Sequence, residues 1–192
     1  MTDGTETLRS RAKADRRSAL LEAAARLFSE RGFDRVSIED LGAAAGVSGP
    51  AVYRHFSGKQ AVLAALLVGV SEGLYDGGQR VVDTQTDAAA ALRALVAFHV
   101  DFALANPRVI RVQDRDLDSL AEPDRHAVRA LQRAYVELWV DVLSRIHPEA
   151  AAGSLRTRAH ATFGLINSTP HTGNSSDMRA ILERMALGAL NS

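Results

Sequence analysis

Residues 37–60 read SIEDLGAAAGVSGPAVYRHFSGKQ. Two short helical runs are legible, split by a glycine. Ser37 is a good N-cap, with Asp40 three residues on, which resembles a capping box although Glu or Gln is the commoner partner. The first helix runs to about Ala45, and Gly46 turns the chain. Ser48 is the next N-cap. Gly49 and Pro50 then fall in a first turn, where backbone N–H groups have no intrahelical partner, so proline opens the helix rather than breaking it. This second helix is expected to last to about His55. Ser57 caps a third start, with Gln60 completing a capping box. Ile38, Leu41, Ala45, Val47, Val52 and Phe56 are the apolar positions that join the two short helices.

Short helix, glycine turn, second helix: the spacing predicts a helix-turn-helix over 37–55, a device whose second helix enters the DNA major groove. The remaining positions of that helix, Ser48, Gly49, Pro50, Ala51, Tyr53, Arg54 and His55, then face outward. Gly49, Pro50 and Ala51 are small enough for close approach to base edges, and Pro50 and Ala51 suit thymine methyls. Arg54 is the one long fork donor, suited to guanine. Tyr53, His55 and Lys59, with the Ser37 and Ser48 hydroxyls, suit phosphates.

Outward from this stretch the chain reads as all-α. Leu20, Ala24, Leu27 and Phe28 repeat at helical spacing between Arg16 and Arg31, and Gly32 closes that helix. Before it lie Arg9, Arg11, Lys13, Arg16 and Arg17, with one acid, Asp15. Such a cluster contacts phosphate only if a DNA-reading surface stands beside it. A long helix is expected through Val62, Leu63, Leu66, Leu67 and Val70 towards Arg80. Further helices are expected from Asp87 to Asn106, within Pro107–Leu120, from Pro123 to before Pro148, over Ala150–Asn167 and from about Ser176, with a turn at Pro170–Asn174. The stretch Arg108–Asp118 packs three Arg and three Asp around Gln113. It reads either as a solvated helix with internal ion pairs or as a polar gate at a pocket mouth.

The 192 residues carry 23 Lys and Arg against 23 Asp and Glu, and no cysteine. Zero net charge argues against a general electrostatic affinity for nucleic acid but leaves room for a local patch. Absence of cysteine excludes disulfides, thiolate metal sites and a cysteine nucleophile. No apolar run is seen to approach the ~18 residues of a membrane span. The N-terminus has acids and no signal-type apolar core. A cytoplasmic protein without membrane contact is expected. Catalytic patterns fail: Gly46-Val-Ser48-Gly49-Pro50 ends in proline where a nucleophile elbow needs glycine. Asp114, Asp116 and Asp118 open like a calcium loop, but Ser119 and Arg125 occupy its glycine and closing glutamate positions. The histidines show no i, i+4 pair. No enzyme, metal or cofactor is expected.

The string from Ser37 to Leu63, with Tyr53-Arg54-His55-Phe56 and Lys59 directly after the helix-turn-helix, resembles the N-terminal domain of TetR-family transcriptional regulators. The preceding basic helix, with Phe28 and Gly32-Phe33, matches too, so the resemblance covers about residues 10–65. It departs at Pro50-Ala51, where many members carry Gly-Thr, so no relative's operator transfers. The resemblance implies a three-helix DNA-binding domain with its arm over 1–58 and a helical ligand-binding and dimerisation domain over 59–192. It implies a homodimer on a double-stranded DNA operator, closed by Ala150–Asn167 and Ser176–Leu190, and usually repression relieved by a small hydrophobic ligand. Acyl-CoA or fatty-acyl compounds are one ligand class, and bulky drugs with control of an efflux pump are another. Effector contacts are expected from Phe98, Phe102, Gln113, Tyr135, Trp139 and Asn167. A helical enzyme or an adaptor without DNA binding is the reading from another class.

Overall fold

A computed structural model describes residues 3–171 and 176–192, with side chains from Ser10 onward. Arg9 of the basic cluster and Thr172, Gly173 and Asn174 of the expected turn therefore fall outside the described side chains or residues. Among the described residues the fold is all-α: α1 (Asp3–Arg31), α2 (Ile38–Ala44), α3 (Gly49–Val52), α4 (Lys59–Asp83), α5 (Ala88–Ala105), α6 (Pro107–Asp116), α7 (Glu122–Ile146), α8 (Ala152–Ile166) and α9 (Met178–Leu190). Short 3-10 turns cover Leu117–Ser119 and Thr169–His171. The chain divides into two compact units, one of 1–69 with 111–125, the other of 70–110 with 126–192. Helices α4, α6 and α7 each carry residues of both.

In the first unit Leu20, Leu27, Phe28, Leu41, Val52, Val62, Leu63 and Leu67 are buried. Phe28 and Phe33 rings meet 5.5 Å apart. Gly46 turns the chain between α2 and α3 at φ 69°, a conformation that costs a side chain ~1–2 kcal/mol. Gly42 serves a close approach: a Cβ there would lie 2.9 Å from the Val47 carbonyl oxygen. Leu41 and Val52 are each wholly buried beside that crossing. Burying such a side chain is worth ~1.5–3 kcal/mol, which outweighs the ~1 kcal/mol that glycine costs a helix interior.

Three local expectations are corrected. The second helix of the helix-turn-helix ends at Val52 rather than His55. Beyond it the Arg54 and His55 amides bond three residues back, to Ala51 and Val52, so the coil tightens into turns. The third helix starts at Lys59, and the Gln60 side chain does not close a capping box with Ser57; it donates to the Ser119 carbonyl at 2.8 Å. Helices α4 and α5 are long and apolar enough to cross a membrane by length and composition alone, which the reading of apolar runs did not anticipate. Both bury apolar faces in protein, α4 through Val62, Leu63 and Leu67, α5 through Leu92, Leu95, Val96 and Val100.

The second unit has its own core of Leu95, Val96, Tyr135, Trp139, Leu143, Leu155, Ile166, Leu182 and Leu190, drawn from α5, α7, α8 and α9. Asp87 caps α5 by accepting from the Ala90 amide at 2.7 Å. Arg179 of α9 pairs with Asp101 of α5. Ile181 and Met185 of α9 stay exposed.

Candidate functional site

Ser37 caps α2 as its sequence position requires. Its hydroxyl donates to Asp40 Oδ2 at 2.7 Å and accepts from the Asp40 amide at 3.0 Å, while its own amide donates to the same carboxylate at 2.9 Å. The Ser37 amide and then its hydroxyl hold the Asp40 carboxyl below its ordinary range, with attraction from Arg31. Ser37 is exposed, yet its single hydroxyl donor is committed to Asp40. Ser48 behaves differently. Its backbone is extended like an N-cap, but the side chain makes no cap bond. The reason is local: Pro50 has no N–H, and the Ala51 amide bonds the Ser48 carbonyl at 2.9 Å. Its exposed hydroxyl is left pointing at no capping amide.

Pro50, Tyr53 and Arg54 are exposed, and Gly49, Ala51, His55 and Lys59 are half-buried. Val52 and Phe56 lie inside the unit. A groove of about 480 Å³ runs between this segment and α1, lined by Ala12, Lys13, Arg16, Arg54 and His55. Among the described side chains no acidic one lines it. One His55 ring nitrogen, Nδ1, is buried without a hydrogen-bond partner. Arg17 stacks over the Phe56 ring at 5.1 Å. The basic cluster of α1 thus stands beside the second helix of the motif, the condition on which its reading as a phosphate contact depended. In the sequence Lys13 and Arg16 stand out only as part of that cluster; their spacing of three puts both on one helix face.

Lys59 is tied inward. Its ammonium donates to the Phe33 carbonyl at 2.9 Å and the Asp34 carbonyl at 3.3 Å, and sits over the Phe33 ring. The polar stretch 108–118 supplies another internal clasp. Arg115 donates to the carbonyls of Phe28 and Ser29 at the end of α1 and pairs with the buried carboxylate of Asp116. Gln113, half-buried, belongs to this first unit, apart from the other five expected effector contacts.

Four of those five gather in the second unit around a residue that periodicity did not single out. His99 is buried, stacked on Tyr135 at 5.6 Å and on Phe163 at 4.9 Å, with Phe102 and Trp139 edge-on. Its Nε2 lies 3.1 Å from Asn167 Oδ1, an acceptor, so Nε2 carries the proton. Nδ1 then accepts from the Tyr135 hydroxyl at 3.2 Å. Burial pulls the His99 pKa down to about 4 against the opposing bond to Asn167. The imidazole is neutral at pH 7. Burial likewise raises the Tyr135 hydroxyl, opposed by the Trp139 indole, so that it remains a donor. Thr162 Oγ1 is buried with no partner. Phe98, the fifth, lies against Gly77 of α4. The signal for His99 is that it continues the Leu92–Leu95–Val96 stripe, where a histidine must be buried. This aromatic cage is packed ring on ring, apolar and uncharged, with a few fixed hydrogen-bonding groups.

Residues 20–66 match the family model for bacterial regulatory proteins of the tetR family, and residues 85–171 match a tetracyclin repressor-like C-terminal domain. The HTH-type transcriptional repressor KstR2 of Rhodococcus jostii is 30% identical over 132 residues, 68% of this chain and 65% of that protein. The HTH-type transcriptional activator FasR of Mycolicibacterium smegmatis is 32% identical over 132 residues, 68% of this chain and 60% of that one. The aligned stretch thus spans less than two thirds of either curated relative. The crystal structure of a TetR-family transcriptional regulator from Bordetella parapertussis superposes with a TM-score of 0.82 at 25% identity, covering 91% of this chain and 93% of that one.

Proposed function

This chain belongs to the TetR family of bacterial regulatory proteins, and from that premise we propose a ligand-responsive repressor that binds a palindromic operator as a dimer and is released by a small apolar effector. Repression is supported by the repressor KstR2, aligned over 65% of its length against 60% for the activator FasR. The observation that carries DNA binding is the groove joining Lys13 and Arg16 to Arg54 and His55, with no acid among its described lining side chains. In this reading Ser48, Gly49, Pro50 and Ala51 approach base edges, Arg54 reads a base, Tyr53, His55, Lys13 and Arg16 contact phosphates, and Ser37 and Lys59, already bonded to Asp40 and to the Phe33 and Asp34 carbonyls, act by fixing α2 and α4 beside them. One such helix reads few base pairs, so two copies about 34–36 Å apart are required. Helices α8 and α9, with exposed Ile181 and Met185, form the dimer face.

The division into a DNA-binding part, 1–58, and an effector and dimer part, 59–192, is kept as a functional one. The effector seat is the His99 cage with Phe102, Tyr135, Trp139 and Asn167, and a fatty-acyl compound suits its apolar, neutral character. Helix α4 carries residues of both units, so an effector that displaces its second half displaces its first. Release requires that the effector bind one arrangement better than the other. The protein works in the cytoplasm, on this reading, and catalyses nothing. The test is fluorescence anisotropy with a labelled duplex of the gene's own upstream region. Salt-sensitive nanomolar-class binding, weakened in Arg54→Ala, is expected; equal binding by Arg54→Ala and by a Lys13→Gln/Arg16→Gln variant would remove this groove from the interface.

A further inference from the structure

Of the 23 Lys and Arg in the chain, two are lysine, Lys13 and Lys59. Both belong to the first unit, but their surroundings differ. The Lys59 ammonium is engaged inward, on the Phe33 and Asp34 carbonyls and over the Phe33 ring. Lys13 is exposed and lines the groove of about 480 Å³ with Arg16, Arg54 and His55. The two kinds of cation in that groove differ in reactivity. A guanidinium stays protonated and offers no free electron pair, whereas an ammonium can lose a proton and become a nucleophile. Arg16 and Arg54 can therefore hold an anion beside Lys13, and Lys13 is the member of the set that can react with it.

We propose that Lys13 is an acylation site, that its donor is a small acyl phosphate, and that the modification releases the operator. The inference rests on the DNA reading above and adds a covalent control of the same groove. The guanidinium forks of Arg16 and Arg54 match phosphate oxygens in pairs, and no acid among the described lining side chains opposes the donor. The Lys13 ammonium first yields a proton to water. The Nζ electron pair then attacks the acyl carbon. An N–C bond forms and the C–O bond to phosphate breaks. Phosphate leaves with that bond's electron pair and takes up the second proton from nitrogen. The product is a neutral amide, so each copy loses one cation from the groove. A duplex seated on the groove excludes the donor, so acylation acts on protein that is off the operator.

The experiment incubates the full chain with acetyl phosphate and follows Lys13 and Lys59 separately by peptide mapping in a mass spectrometer. Lys13 is expected to be acetylated about tenfold faster than Lys59. Arg16→Gln/Arg54→Gln should slow Lys13 by about tenfold, the order by which a cleft of one sign gathers counter-ions. Equal rates at the two lysines, or a Lys13 rate unchanged in the double variant, overturn the site. Acetylated protein is then titrated with labelled operator duplex. Two copies lose one phosphate contact each, so the slope of log K against log salt should flatten by about 1.8 and affinity should fall by about tenfold or more. In Lys13→Arg, treatment with acetyl phosphate should cause no such fall; a fall that persists there assigns it to another group and overturns the control. The rates are measured without DNA. Parent protein that fails to bind the duplex would thus sink the DNA reading and the release with it, while the acylation site stands or falls on its rates.

Discussion

The Lys59 ammonium lies 2.9 Å from the carbonyl oxygen of Phe33 and 4.3 Å from the centre of that residue's ring. One cation thus pins the loop after α1 to the first residue of α4. An ammonium has three donors, and two are used on Phe33 and Asp34. Lys59→Met is expected to lower stability by about 1–2 kcal/mol, from a charge-assisted bond and a half-exposed cation–π contact. Urea unfolding at pH 7 measures it. No change in midpoint would show the clasp to be idle and leave Lys59 to phosphate alone.

The groove of Lys13, Arg16, Arg54 and His55 makes a prediction about salt. Each neutralised phosphate contributes roughly 0.9 to the slope of log K against log salt. Two copies sit on the operator, so Lys13→Gln/Arg16→Gln removes four cations and should flatten that slope by about 3.6, weakening all sequences alike. Arg54→Ala should instead relax preference at one base pair, by ~1–3 kcal/mol. Anisotropy titrations across salt and across single-base operator variants separate the two; a uniform loss for Arg54→Ala would make it a phosphate contact.

Two glycines in the motif differ in what they tolerate. Gly46→Ala must hold φ near 69°, a cost of about 1 kcal/mol with space around the new methyl. Gly42→Ala places carbon 2.9 Å from a backbone oxygen, so α2 and α3 must separate. Gly42→Ala should therefore reduce operator affinity more than Gly46→Ala at matched loss of stability. The reverse order in paired unfolding and binding measurements would contradict the close approach.

His99 gives a pH dependence of definite sign. Its folded pKa of about 4 lies below its ordinary 6.5, so the unfolded chain binds more protons between them. Stability from this residue is fully present above pH 6.5 and is lost as pH falls towards 4, by about 3 kcal/mol. Urea midpoints at pH 7.5 and pH 4.5 should converge in His99→Gln relative to the parent. An identical acid loss in both would place the titrating group elsewhere.

Much of the first unit was readable because its determinants are local. The Ser37–Asp40 box, the Gly46 turn and the proline-opened α3 each depend on residues within four positions of one another, as does the Asp87 cap in the second unit. Helix order and the all-α class follow from apolar spacing by the same short-range logic. Even here the length of α3 escaped, since Tyr53–His55 can close either helical bonds or tighter turns with similar sequences.

What the sequence by itself determined is therefore the helices, their caps and the presence of a DNA-reading motif. The tertiary structure alone decided which side chains come together: Lys13 and Arg16 line one groove with Arg54, Lys59 meets Phe33, Arg115 meets the end of α1, and His99 meets Tyr135, Phe163 and Asn167. These partners are separated by tens of residues. Periodicity says which face of a helix is buried, but not which other helix covers it, and a polar group's partner and charge state are set by that second choice.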